Sequence, residues 1–174
     1  MRFKKLDKET DEYEKFNSSF RDAFSEHYFI EGESLNPFRT KDNIYYYIEN
    51  ESKELVAAIN VAFLTKEAFN SMKSGLISDD MELTIEDIQE VKNGDEIFAY
   101  IATIYTIESY RGKGYAEQLL KKTIKEMLNM YSNSRIHTLA LCLDNKSTQL
   151  FEKTDYEVIK LNSNKQTIVY KFFD

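Results

Sequence analysis

Apolar positions along the chain switch between the two-residue period of strands and the 3.6-residue period of helices, which divides it into elements. Residues 1–6 predict a short first strand. Tyr13, Phe16, Phe20, Ala23 and Phe24 then recur at helical spacing behind a cap at Thr10 or Asp11. A looser segment over 32–42 holds the only proline, Pro37. Residues 44–49 and 55–64 predict two strands joined by the polar turn Asn50-Glu51-Ser52-Lys53. In the first of them, Tyr45-Tyr46-Tyr47 is expected to alternate, one face buried and one wet. A wet tyrosine face beside a cleft would also suit stacking on a substrate.

Residues 65–95 break the rhythm. This stretch is polar and charge-rich, and loops of such length are usually lids or disordered segments. Helix-like patterns over 66–73 and 84–91 predict instead an ordered insertion. Residues 96–107 form a long strand rich in Ile, Tyr, Phe and Thr. After a sharp turn, Ala116, Leu119, Leu120, Thr123, Ile124, Met127 and Leu128 define the apolar face of a helix over 114–131. The continuous apolar run 138–143 reads as a buried strand suited to a parallel pair. A short helix over 147–153 and a closing hairpin, 156–161 with 166–172, complete the order. Strands and helices interleaved in this way predict an α/β fold with a mixed sheet, in one domain over 1–174.

Composition narrows the partners. The chain has 23 Lys and Arg against 30 Asp and Glu, a net charge of −7, which disfavours broad binding to nucleic acid or anionic membrane. The single cysteine, Cys142, excludes an intrachain disulfide and suits the cytoplasm. It lies in an apolar run and reads as a small buried hydrophobe. His27 and His137 lack metal-ligand spacing, so no metal site is expected. Asp79, Asp80, Glu82, Glu86, Asp87 and Glu90 form an acidic cluster inside the insertion. That cluster is either a solvated face or a surface for a cationic acceptor.

Glycine is scarce, with five in 174 residues, yet Gly112 and Gly114 fall in the turn between the long strand and the amphipathic helix. Residues without side chains let a backbone turn tightly and come close to a ligand. The free N–H groups at the helix start then form an anion site, and Arg111 and Lys113 add local positive charge. Phosphate binding, most simply of a pyrophosphate, follows. Neither the P-loop pattern nor the Rossmann G-x-G-x-x-G is present.

Arg111-Gly112-Lys113-Gly114-Tyr115-Ala116 reads R-x-x-G-x-A. It resembles the coenzyme A-binding motif [QR]-x-x-G-x-[GA] of the GNAT superfamily of N-acetyltransferases. Downstream, Leu150-Phe151-Glu152-Lys153-Thr154-Asp155-Tyr156 resembles that family's L-Y-E-K-x-G-F segment, with Phe151, Asp155 and Tyr156 replacing Tyr, Gly and Phe. The likeness covers nearly the whole chain except 65–95.

The resemblance implies a GNAT-like mixed, centrally splayed β-sheet flanked by helices, and direct transfer of acetyl from acetyl-CoA to a primary amine. It implies that Arg111, Gly112, Lys113, Gly114, Tyr115 and Ala116 hold the pyrophosphate. Ile104, Tyr105 and Thr106 would offer main-chain hydrogen bonds to the pantetheine arm, as an added strand would. A main-chain N–H of that strand would stabilise the developing oxyanion. Relatives place an Asn before the last helix; Asp144 aligns there, and Asn145, one place on, has the amide that can donate. The family's proton-donating tyrosine is replaced by Phe151, which leaves thiolate protonation without an assigned donor. Tyr100, Glu96 and Glu108 are the candidates for the general base. The acceptor would be a small-molecule or peptide amine. A different class stays open through Phe151: a degenerate CoA- or acyl-CoA-binding sensor without turnover. The closing hairpin offers an edge strand through which a homodimer could form.

Overall fold

The computed structural model describes residues 1–6 and 44–174. The helix expected over 10–24, the segment 32–42 and His27 lie outside the described residues. Seven strands form one sheet: β1 (Arg2–Lys5), β2 (Ile44–Glu49), β3 (Leu55–Phe63), β4 (Glu96–Thr106), β5 (Arg135–Cys142), β6 (Glu157–Leu161) and β7 (Thr167–Phe173). Their spatial order is β1-β2-β3-β4-β5-β7-β6, so β1 and β6 are the outer strands. Only β4 and β5 run parallel among these pairs; every other neighbour is antiparallel. A parallel pair needs a crossover, and the helix α2 (Tyr115–Met130) supplies it.

Three described helices pack on the sheet. α2 and α3 (Asn145–Glu152) cover one face, where Leu119, Leu120, Met127 and Phe151 meet Ile97, Ala99, Ile101, Ile136 and Ala140. α1 (Lys66–Ser74) covers the other, where Phe69 and Met72 meet Phe98, Tyr100, Leu139 and Ile168. The alternation of β4 between these clusters is the strand period read directly as burial.

The segment over 65–95, expected as an ordered insertion, carries α1 and is fastened to the sheet. Thr65 caps α1 through Oγ1, which accepts from Ala68 N at 3.2 Å. The helical pattern over 84–91 does not become an α-helix. Only a three-residue 3-10 turn forms there, Ile85–Asp87, after which Ile88 bridges to Leu64 beside β3. Gln89 N donates to Phe63 O and Thr65 N donates to Asp87 O. Pairing with the sheet satisfies the backbone that a helix would otherwise have satisfied internally.

The tyrosine run also differs from expectation. Tyr45, Tyr46 and Tyr47 are all buried, because both faces of β2 are covered. Tyr46 stacks on Phe3 with ring centroids 5.0 Å apart, while Tyr45 and Tyr47 pack with Leu6 and Ala58 on the opposite face.

Candidate active site

The parallel ladder between β4 and β5 runs from Glu96↔Arg135 to Tyr100↔Leu139 and stops. β4 continues to Thr106 beside β3, and β5 continues to Cys142 beside β7. The two strands therefore part in the middle of the sheet. One extra residue in β4 lies at the start of this gap: Val61 pairs with Ile101 but Asn60 pairs with Thr103, which leaves Ala102 bulged. The bulge shifts the alternation of main-chain groups. Phe98 O and Ile107 N both face β3, accepting from Leu64 N and donating to Val56 O, although nine positions separate them. An unbroken strand would turn one of them away. Counting back from Ile107, the main-chain groups of Ile104 and Thr106 face the gap, and those of Tyr105 face β3. Thr106 Oγ1 is buried without a hydrogen-bond partner.

The strand ends at the 3-10 turn Glu108–Tyr110, and Arg111 to Gly114 lead into α2. Gly112 and Gly114 have φ of 75° and 78°, the left-handed region that L side chains avoid. A Cβ on Gly112 would meet nothing within 4 Å, so conformation and open approach, not crowding, account for glycine there. Gly114 is the N-cap of α2 and offers no side chain to its first turn. The N–H groups at the start of this sixteen-residue helix thus point outward without a side-chain cap, beside the gap, with the positive end of the helix dipole. Arg111 lies back along β4, its Nε donating to Thr106 O at 3.2 Å and its guanidinium over the Tyr105 ring. Lys113 Nζ donates to Ser109 O at 3.2 Å. An anionic group and an extended polar arm fit this combination of uncapped helix, left-handed glycines and opened ladder.

At the end of β5, Asp144 is the N-cap of α3. Its carboxylate accepts from Ser147 N and Ser147 Oγ, each at 2.7 Å, and these bonds hold its pKa below the usual carboxylate range. Asp144 is thereby committed to the helix, and Asn145, the first residue of α3, carries the available amide. Phe151 is buried and meets the Tyr156 ring edge-on at 4.9 Å.

The three base candidates occupy different places. Glu96 stands at the closed end of the β4–β5 ladder. It pairs with Arg135 at 3.1 Å, His137 Nε2 at 3.2 Å and Lys66 at 3.3 Å. Hydrogen bonding from His137, then Lys66, lowers its pKa, so its affinity for a proton is reduced. Glu108 is exposed in the turn after β4. Tyr100 is buried on the α1 face at the last rung, and its hydroxyl donates to Asp80 Oδ2 of the insertion at 3.4 Å. Burial, reinforced by the adjacent Asp79 charge, pushes the Asp80 carboxyl up to about 6. No pattern in the sequence links positions 80 and 100; only the path of the insertion brings them together.

His137 is satisfied at both nitrogens, with Tyr170 OH 2.8 Å from Nδ1. Cys142 is buried, and desolvation pushes its thiol up to about 11, the behaviour of an unreactive hydrophobe. Among the described residues, no group of three or more His, Cys, Asp or Glu could hold a metal ion, and no helix is long and apolar enough to cross a membrane.

Among curated proteins, none matches the chain in sequence. Solved structures resemble it over nearly their full lengths at low identity. Arabidopsis thaliana NAA60 in complex with acetyl-CoA is 16% identical, with 99% of this chain and 98% of that one covered and a TM-score of 0.61. An aminoglycoside 6'-N-acetyltransferase complexed with coenzyme A is 12% identical, with 99% and 96% covered and a TM-score of 0.61. Tetrahymena GCN5 is 12% identical, with 100% and 97% covered and a TM-score of 0.61. These likenesses establish the seven-stranded mixed sheet as the fold they share. The profile of the acetyltransferase (GNAT) family matches residues 10–156, a span that holds the opened ladder, the glycine turn and both helices beside it, and the chain belongs to that family.

Proposed function

We propose that the protein is an N-acetyltransferase that moves the acetyl group of acetyl-CoA directly to a primary amine of a small molecule or peptide. The observation that carries this reading is the opened β4–β5 ladder leading to the uncapped, glycine-turned start of α2. In it, main-chain N–H groups of residues 112–116 hold the pyrophosphate, with side-chain charge from Arg111 and Lys113, the Arg111 N–H being used by Glu108 O. The main chain of Ile104 and Thr106 pairs with the pantetheine arm, with Tyr105 between them carrying Arg111, and Asn145 reaches it from α3. The amine attacks the thioester carbonyl itself, so the chain needs no nucleophile of its own. It needs donors for the oxyanion and an acceptor for the amine's proton. Acceptors named in similar structures, an aminoglycoside in one and a spermidine in another, set the amines to be tried. Cys142 as the lone thiol suits a cytoplasmic location, and β6 is the strand a homodimer would use.

A second reading rests on Phe151. Its ring is packed into the core and carries no hydroxyl with which to protonate a leaving thiolate, a feature that suits a non-catalytic CoA sensor. One experiment separates the two. CoA is added while the melting temperature is followed, and acetyl-CoA is then incubated with polyamines, aminoglycosides and unblocked peptides while free thiol is measured. A raised melting temperature with thiol release establishes the enzyme. A raised melting temperature without thiol release across the panel supports the sensor, and no rise removes both. Arg111→Glu should abolish the rise while leaving the fold intact.

A further inference from the structure

The acidic residues of the insertion are not equivalent. Asp79 Oδ1 accepts from Met81 N, and Glu82 Oε1 accepts from Ser78 N, Ser78 Oγ and Asp79 N. Asp87 Oδ2 closes on Thr84 N and Oγ1, and Asp95 Oδ2 on Lys92 N. These four carboxylates hold their own turns. Asp80 stands apart, because its side chain leaves the insertion and reaches Tyr100 on the sheet. The insertion is held in that position from three sides: Phe69 and Met72 sit in the core, Ile88 bridges to Leu64, and Asn162 and Asn164 of the β6–β7 turn donate to Ser78 O.

Tyr100 sits two residues before the Ala102 bulge, on the face that α1 covers. On the neighbouring strand, Ala62 opposes Tyr100 and Asn60 opposes Thr103, so Asn60 is the next residue along the same face. Asn60 is 6% exposed and its Oδ1 has no hydrogen-bond partner, a costly condition for a buried carbonyl unless a ligand donor meets it. A carboxylate bonded to a hydroxyl at the last rung, and an unpaired amide carbonyl diagonal to that hydroxyl on the next strand, thus share one face of the sheet where the opening starts. All three oxygens accept from N–H, and the set suits an alkylammonium group.

We propose that Asp80, Tyr100 and Asn60 form the subsite for the reacting amine and that Asp80 takes its proton. This rests on the acetyltransferase reading above. A primary alkylamine has a pKa near ~10.4 and reaches the site as ammonium, without a free electron pair. Transfer of one proton from ammonium nitrogen to Asp80 frees that pair. The C–N bond then forms, the C–S bond breaks, the second proton leaving nitrogen goes to the thiolate, and Asp80 returns its proton to water. The groups facing Asp80 fit the role. Asp79 in its own turn opposes its negative charge and favours proton uptake, and Tyr100 orients the carboxylate. Among the described residues, the lysines of α1 and β6 are engaged elsewhere: Lys66 on Glu96, Lys73 over the Tyr170 ring and Lys160 on Ser74 O.

The test uses the full chain saturated with CoA and labelled with carboxyl-13C aspartate, the Asp80 resonance being assigned by its loss in Asp80→Asn. Spermidine, kanamycin and an unblocked hexapeptide are titrated in turn, and at least one should move that resonance. For an amine that is acetylated, kcat/KM should fall below about pH 6, where Asp80 is protonated. Asp80→Asn should remove that limb and lower kcat about 10²-fold, with CoA affinity unchanged and Asp80→Glu restoring part of the rate. The subsite is overturned if CoA raises the melting temperature while no amine moves the Asp80 resonance, or if Asp80→Asn keeps the wild-type rate and pH limb. Loss of the CoA response in the wild type overturns the acetyltransferase reading itself.

Discussion

Tyr100 and Leu139 form the last rung of the parallel ladder, and beyond that rung β4 and β5 no longer share hydrogen bonds. Backbone groups on either side of the rung should respond differently to ligand. Adding CoA should slow amide hydrogen exchange at Ile104 and Thr106 and over residues 112–116, and leave residues 96–100 unchanged. Uniform slowing along β4 would place the ligand elsewhere. Hydrogen exchange with fragment or NMR resolution reads this directly.

Gly112→Ala isolates the conformational requirement of the turn. The new Cβ meets open space, so any loss of stability reflects the left-handed φ of 75° alone. We expect a cost of about 1–2 kcal/mol in urea unfolding. Gly112→Asn, which tolerates that region better, should lose less. Affinity for CoA should fall in both, because a side chain now stands where the backbone is approached.

Asp80 should make the protein less stable at neutral pH. Its carboxyl binds a proton with a pKa of about 6 when folded against 3.8 ordinarily, so between those values the native state holds more protons than the unfolded one. Stability then falls as pH rises through this window. Asp80→Asn is expected to stabilise the protein by ~1–2 kcal/mol at pH 8 and to give no such gain at pH 3.5. Paired urea titrations at the two pH values test the sign.

Asp144 should behave in the opposite sense. Its pKa is depressed by the Ser147 N–H, so its contribution is present above the ordinary carboxylate range and is lost as pH falls through the folded value. Asp144→Ala should cost ~1 kcal/mol at pH 7 through loss of the α3 cap, with Asp144→Asn costing less. The difference between wild type and Asp144→Ala should narrow at pH 2.

Elements whose order is set by local patterning were legible in the sequence. The strand 44–49 matches β2, and the helix over 66–73 and the strand over 96–107 match α1 and β4 to within a residue. The glycine turn could be read because φ above zero restricts residue choice to something visible. The 84–91 pattern misled because Ile85 and Ile88 recur at helical spacing, while Ile88 is drawn into a bridge with Leu64 that no local rule contains. The Tyr45-Tyr46-Tyr47 face was misjudged for a related reason, since alternation gives the two sides of a strand but not what covers them. The Ala102 bulge and the reach of Asp80 to Tyr100 depend on register and on the path of a long insertion. Neither leaves a periodic trace.

The gap at the centre of the sheet has a cost that reaches beyond chemistry. Past Tyr100 and Leu139, β4 and β5 each present backbone groups that the ladder does not use, which adds two inner edges to the outer ones at β1 and β6. Unpaired edges are templates for stray β-pairing, and proteins normally blunt them with charge, proline or cover. Past the rung, residues 101–106 and 140–142 carry no charged side chain and no proline, and Arg111 on Thr106 O lays a charge back over the β4 edge. On the acetyltransferase reading proposed above, a chain not yet loaded is most exposed to misassembly where it receives its acyl donor, and bound acetyl-CoA would cover that edge during folding as well as supply the acetyl group.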